Sequence, residues 1–275
     1  NGSKCTAVKI NNSEFTVQQT CAFDAIFHVI AVGIATIKNY KEVANSSENA
    51  TMKLAATVLH DGKMYARHYI ERAIILINLP LFNDAITTYT RSIKKLNANC
   101  NAADLLSKLF NNMPSCTKTI SCICGNEKVQ QITEVNVNID ILLCKGLQYV
   151  QEAIDDASNI GTTCRKCKSN VAIKVEYGSH IFIDTTIFTD DTYIATKPAI
   201  KHELHNIATS IQLQSNTYTL TGIVNYAKPI SNRLDDGHYT AYARTGIHWY
   251  LYDDLKKKRQ TVTSQTEITP HILSY

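Results

Sequence analysis

The chain has 275 residues, 44% of them hydrophobic and 19% charged, with a net charge of +4 at pH 7. That is enough apolar material for one large domain or two small ones to bury a core without cross-links. The one dense charge run, Lys256-Lys257-Lys258-Arg259, lacks the further basic clusters and interleaved aromatics of a nucleic-acid or membrane surface, and it reads as a solvated loop, with the steering of an acidic partner as the alternative.

In chain order, the first strong signal is the run from Cys21 to Val32, with apolar residues at helical spacing after the polar Gln18-Gln19-Thr20. The pattern predicts a mostly buried helix with Cys21 in its first turn. A thiol there feels the positive end of the macrodipole and the free backbone N–H groups, which favour a thiolate. The same N–H groups would stabilise an oxyanion. The plain alternative is that Cys21 is a small buried hydrophobe. Helical periodicity continues over Met52 to Leu59, Met64 to Ile77, Asp84 to Leu96 and Ala103 to Asn111. Pro80 breaks it once, and Asn83 is a candidate cap for the helix that follows. Sequons at Asn45 and Asn49 would carry sugar only in a secreted chain.

From about Ser115 to Val175 the pattern turns to alternation and β-branched residues, as in Val129 to Ile141, with a short helix around Leu147 to Ala157. Two close cysteine pairs, Cys122/Cys124 and Cys164/Cys167, punctuate this stretch as two zinc knuckles on adjacent β-ribbons would. Four thiolates on Zn²⁺ would stabilise a subdomain too small for its own core, far from any chemistry. The first pair is one residue short of ordinary knuckle spacing, and Cys116 is a substitute ligand. A disulfide or a redox Cys-x-x-Cys are the other readings. Nine cysteines, an odd number without framework spacing, point with the lack of a leader or an eighteen-residue apolar run to a reducing intracellular setting, cytoplasm or nucleus.

Longer strands follow: His180 to Thr186, Ile207 to Leu213, Tyr218 to Tyr226 and an end strand from Ile272 to Tyr275. Between them the stretch from Gly237 to Asp254 reads as a β-hairpin turning at Thr245-Gly246. If Arg244 and Ile247 close that turn, His238 lies directly across from Asp253, with Cβ atoms about 4.5–5.5 Å apart. The carboxylate would accept the Nδ1 proton and leave Nε2 free to take a proton from a nucleophile. A slip of one residue would put the two on opposite faces. The competing reading is an edge hairpin with incidental polar residues.

Thr20-Cys21, Gly237-His238-Tyr239-Thr240-Ala241-Tyr242, Trp249-Tyr250-Leu251-Tyr252-Asp253-Asp254 and the terminal Ile272-Leu273-Ser274-Tyr275 resemble the Cys box and His box of the ubiquitin-specific protease family. The resemblance runs over nearly the whole chain, in the family's order. It implies an α+β, papain-like cysteine protease fold with a helical thumb (1–114), zinc-knuckle β fingers (115–176) and an antiparallel β palm (177–275), forming one catalytic domain. It implies cleavage after the C-terminal Gly-Gly of ubiquitin, with Cys21 as nucleophile, His238 as general base and Asp253 orienting it. Asp104 stands where the family carries an acid before Leu105-Leu106, able to meet the basic tail of a ubiquitin-like substrate or to be an exposed first-turn acid. Tyr239 and Trp249 would narrow the cleft to a Gly-Gly tail.

Departures from the family pattern fall on identifiable residues. Thr16 stands where the oxyanion asparagine is expected, which leaves Gln19 as the better amide donor, with Asp254 able to act through a bound water. His180-Ile181-Phe182-Ile183-Asp184 replaces the common Leu-Lys-Arg-Phe strand, and Asp24 replaces an asparagine three residues after the nucleophile. Asp24 and Asp253-Asp254-Leu255-Lys256 resemble the SUMO-directed branch, so SUMO is the alternative substrate. The competing classes are a catalytically weak module that binds a ubiquitin-like protein, and a papain-like peptidase of unfolded chains.

Overall fold

The computed structural model describes residues 7–10, 12–88, 93–158, 163–185, 201–227, 237–256 and 258–275. The chain opens with β1 (Val8–Ile10) and β2 (Ser13–Gln18), then α1 (Cys21–Thr36), α2 (Lys38–Ser46), α3 (Ala50–Asp61) and α4 (Ala66–Ile77). Next come β3 (Ile86–Thr88), β4 (Ile93–Asn97), α5 (Ala102–Leu109), β5 (Cys116–Ser121) and β6 (Glu127–Ile132). After α6 (Ile139–Lys145) and α7 (Val150–Ser158) follow β7 (Ala172–Tyr177), β8 (Phe182–Asp184), β9 (His202–Glu203), β10 (Ser210–Leu213) and β11 (Asn216–Thr219). The chain closes with β12 (Gly222–Ala227), β13 (His238–Thr245), β14 (His248–Tyr252), β15 (Gln260–Val262), β16 (Glu267–Ile268) and β17 (Pro270–Ser274). The class is mixed α+β, as the sequence predicts. The chain divides into two units, one of residues 1–109 with 221–264 and one of residues 110–220 with 265–275.

In the first unit the organising element is α1, apolar on nearly every side and therefore buried. Twelve of its sixteen residues are inaccessible, among them Phe23, Ile26, Ile30 and Ile34. It packs on β12 and β13. That contact is close because the sheet presents small residues to it. A Cβ on Gly222 would stand 3.0 Å from a Val29 methyl and 2.9 Å from the Tyr242 carbonyl oxygen, while Ala241 and Ala243 are wholly buried beside it. Strands β12, β13, β14 and β15 follow one another antiparallel. Helix α3 is capped by Asn49, whose Oδ1 accepts from the N–H groups of Thr51 and Met52 and whose Nδ2 donates to the Leu109 carbonyl at 2.6 Å.

One expected helix is not there. Residues from Asp84 to Leu96 were to be helical, but Pro80–Ala85 is a single 3-10 turn and the chain then enters β3 and β4. Asn83 accordingly lies inside the 3-10 turn and caps no helix. β-Branched Ile86, Thr87, Thr88 and Ile93 suit strands, and β4 runs parallel to β2 from Glu14↔Ile93 to Gln18↔Asn97. Tertiary pairing thus overrides a local helical period; residues 89–92 of that stretch lie outside the described ones.

The second unit holds a three-stranded antiparallel sheet, β6-β5-β7, in which Cys116 opposes both Ile132 and Tyr177. Smaller antiparallel pairs are β8 with β17, β9 with β16 and β10 with β11. The alternation expected across Val129 to Ile141 ends early, because Asn138 caps α6 by accepting from Asp140 N–H. Tyr218 to Tyr226 holds two strands rather than one, and Thr186 at the end of the His180 strand is outside the described residues. Phe110, His180 and Phe182 form an aromatic cluster with centroids 4.4–5.3 Å apart. Burial between those rings lowers the pKa of His180 to about 4, against the opposing hydrogen bond to the Met113 carbonyl. Among the described residues no single helix is long and apolar enough to cross a membrane.

Candidate active site

The turn of the β13–β14 hairpin falls one residue later than the sequence predicts. Thr245 opposes His248 and Ala241 opposes Tyr252, so the loop is Gly246-Ile247 and Gly246 takes its first position with φ +61°. Glycine at the first loop position of positive φ is what a II′-type connection requires. The strand register is therefore offset by two residues from the expected one. An offset of two keeps every side chain on its face. Continued past Tyr252, this register sets Asp253 opposite Thr240, and His238 reaches it as a diagonal neighbour.

The reach is made. His238 Nε2 lies 2.9 Å from Asp253 Oδ1 and 3.5 Å from Asp254 Oδ1. The nitrogen facing the acids is Nε2, not the expected Nδ1. The Asp253 carboxylate is itself fixed by the Leu255 N–H at 3.0 Å. Both acids are largely covered, with 12% and 7% of their side chains exposed against 28% for His238. His238 is pushed up to about 9, first by a hydrogen bond with the Cys21 side chain, then by Asp253 and the charge of Asp254, against the opposing effect of burial.

Cys21 is the first residue of α1 and is buried. The Asp24 N–H bonds the Thr20 carbonyl at 2.9 Å, and as the first three residues of a helix Cys21, Ala22 and Phe23 have N–H groups with no intrahelical partner. Unpaired first-turn amides of this kind are the groups that bind anions at a helix N-terminus. Gln19, just before, is exposed and holds φ +58°, a left-handed conformation rare for a side chain of its size. Thr16 lies within β2, paired with Lys95. The neighbouring thiol of Cys100 is pushed up to about 12 by burial and by the charges of Cys21 and Asp104, which keeps it a neutral thiol.

The sequence reading missed Arg72. From α4 its Nη1 donates to both oxygens of Asp24 at 2.8 and 2.9 Å, and Thr20 Oγ1 donates to the same carboxylate at 2.7 Å. No motif flags an arginine 48 positions away. His28, one turn further along α1, stacks on Tyr252 with centroids 4.7 Å apart, and burial lowers its pKa. A cavity of about 690 Å³ opens along this side of α1, walled in part by Asp24, Arg72, Asp253 and Asp254.

The three residues assigned to substrate occupy different settings. Asp104 is exposed in the first turn of α5, next to Asn101, whose Oδ1 caps the Ala103 N–H at 2.8 Å. Tyr239 is buried, its hydroxyl accepts from the Ala102 N–H at 3.4 Å, and its ring lies 5.0 Å from that of Tyr226. Trp249 is buried on β14 opposite Arg244. The basic run is folded back on the hairpin: Arg259 lies over the Tyr250 ring at 4.2 Å and donates to the Tyr252 hydroxyl. Lys257 lies outside the described residues.

In the second unit Cys122, Cys124, Cys164 and Cys167 bring their sulfurs within 4.8 Å of one another. Cys124 and Cys164 are 3.7 Å apart, close to the edge of about 3.8 Å that Zn–S bonds of about 2.3 Å give a tetrahedron. The first pair makes its tight turn through Gly125 at φ +79°, with Gly125 N–H donating to Cys122 O. Cys164 is lowered to about 6 by backbone N–H groups of Cys167 and Lys166, which stabilise a thiolate. The donor set and spacing fit a four-thiolate metal site. Cys116 is buried in β5 and is not one of the four.

No family model and no curated protein matches the chain. Among solved structures it is similar to the SAGA Ubp8/Sgf11/Sus1/Sgf73 DUB module bound to ubiquitin aldehyde, at 13% identity and TM-score 0.40, over 98% of this chain and 69% of that one. It is also similar to the MERS-CoV papain-like protease with human ubiquitin, at 9% identity and TM-score 0.46, over 98% of this chain and 69% of that one. An essential yeast splicing factor matches at 9% identity and TM-score 0.46, over 92% and 67% of the two chains. At these scores the likeness is a loose one of backbone course, and the chemistry of the site stands on its own side chains.

Proposed function

We propose that this chain is a cysteine isopeptidase that hydrolyses the bond after the C-terminal Gly-Gly of ubiquitin, with SUMO as the alternative substrate. The observation that carries it is an imidazole whose Nε2 meets two carboxylates and whose pKa is raised first by the thiol of Cys21, which stands at the start of a buried helix. In the reaction the Cys21 thiolate attacks the glycine carbonyl, and the oxyanion meets the first-turn amides with Gln19 as the candidate side-chain donor. His238 gives its Nδ1 proton to the leaving lysine amine, and then takes one from the water that hydrolyses the thioester. Asp253 and Asp254 hold the imidazolium throughout, while Asp104, Tyr239 and Trp249 are the candidates for contact with the tail.

The four cysteines would hold a structural Zn²⁺, with every coordination position filled by sulfur and none left for chemistry. A reducing, intracellular location, cytoplasm or nucleus, is proposed from the odd number of nine cysteines without framework spacing. Thumb, fingers and palm of a single catalytic domain remain the reading of residues 1–275. The test is labelling by C-terminal electrophiles of ubiquitin and SUMO side by side. Cys21→Ala should keep its fold by circular dichroism and lose all labelling. Labelling undiminished in that variant would remove Cys21 from the reaction. Binding without turnover by the unmodified chain would favour the non-catalytic module.

A further inference from the structure

Asp24 poses a physical problem for the nucleophile that the rest of the site does not solve. It sits three residues after Cys21 on α1, and side chains at that spacing lie about 5–6 Å apart. A free carboxylate there would oppose a thiolate at Cys21 and offset the help of the helix N-terminus. The groups facing these two residues are Thr20 just before α1, His28 on α1, Cys100 before α5, and His238, Asp253 and Asp254 from the hairpin and its exit. Lys256, Lys258 and Arg259 also line the cavity, but Lys256 lies beside Asp253 and Arg259 on Tyr250 and Tyr252, and none is bonded to Asp24. Arg72 answers it: its guanidinium bonds both oxygens of Asp24, its side chain is 9% exposed, and it lies against the Tyr69 ring. Thr20, the residue before the nucleophile, closes the network on the same carboxylate.

We infer that Arg72 is a positioning residue for the nucleophile: it cancels the charge of Asp24 and, through Thr20 and Asp24, fixes the first turn of α1 so that Cys21 can persist as a thiolate. The inference rests on Cys21 being the nucleophile. The geometry also explains how this chain carries an acid at that position at all, since Asp24 and Arg72 work only as a pair.

The experiment follows the rate of iodoacetamide alkylation of Cys21 against pH, read by mass spectrometry of its peptide, in the full chain. Arg72→Met should move the midpoint up by about one to two pH units, the effect of an uncancelled charge about 6 Å away at an effective dielectric of about 20. At a pH below both midpoints that is a loss of about tenfold to a hundredfold in rate. Arg72→Lys, which keeps the charge, should stay near the parent. The double variant Asp24→Asn/Arg72→Met removes both charges of the pair, should fold, and should recover the parental midpoint. A merely structural role predicts the double variant to be as impaired as Arg72→Met, and that result would overturn the inference, as would an unmoved midpoint in Arg72→Met. Failure of the isopeptidase reading looks different: the parent itself would alkylate at Cys21 no faster than an ordinary thiol, and the inference would fall with it.

Discussion

Two carboxylates face one imidazole nitrogen, so removing the nearer should not by itself release the histidine. His238 stands at about 9 instead of 6.5, a rise held by Cys21 first, then by Asp253 and Asp254 against burial. At about 1.4 kcal/mol per pH unit the whole rise corresponds to about 3 kcal/mol. The imidazole is partly open to water, so the share recoverable as stability is about 1–2 kcal/mol. Because the folded pKa is above the unfolded one, that contribution is complete below pH 6.5 and is lost as pH rises through about 9. Activity should follow the same limb, since the leaving amine needs the proton that His238 then no longer holds. Asp253→Asn should lower the alkaline limb of kcat/KM by about half a pH unit, because Asp254 remains 3.5 Å away. Asp253→Asn with Asp254→Asn should lower it by about one unit or more. Turnover of a fluorogenic ubiquitin or SUMO substrate from pH 5 to 10 measures the limb, and the NMR titration of the His238 ring protons measures the group without substrate. A double variant whose ring still titrates near 9 would refute the assignment of that charge to the two acids.

The sulfur cluster predicts one Zn²⁺ per chain by elemental analysis; Cys164→Ser should lose it and increase protease cutting within 116–177, whereas full metal content in that variant would remove Cys164 from the ligand set. Gly222→Ala should destabilise by about 1–3 kcal/mol, because its methyl would meet Val29 and the Tyr242 carbonyl. An unchanged urea midpoint would show that α1 can retreat from the sheet at no cost.

What the sequence made legible was whatever rides on short-range pattern. Alternation along two aromatic strands placed His238 and Asp253 on one face even though the turn was set one residue early, since the error in register was an even number. Cysteine spacing likewise exposed the four sulfurs. What escaped depends on distant pairing. The stretch before Leu96 looks helical in isolation, and only its parallel partner β2 makes it a strand. Arg72 belongs to an unremarkable helical repeat until the fold sets it beside Asp24. Which imidazole nitrogen meets the acid depends on a ring rotation that no residue pattern encodes.

The cap of α3 carries a consequence for where such a chain can mature. The amide nitrogen of Asn49 is spent on the Leu109 carbonyl in a residue only 2% accessible, so the atom an oligosaccharyltransferase would modify is sealed inside the protein. An oligosaccharide attached there during synthesis would leave α3 without its cap and force the chain apart at the join with α5. Glycosylation at Asn49 and this native state exclude one another.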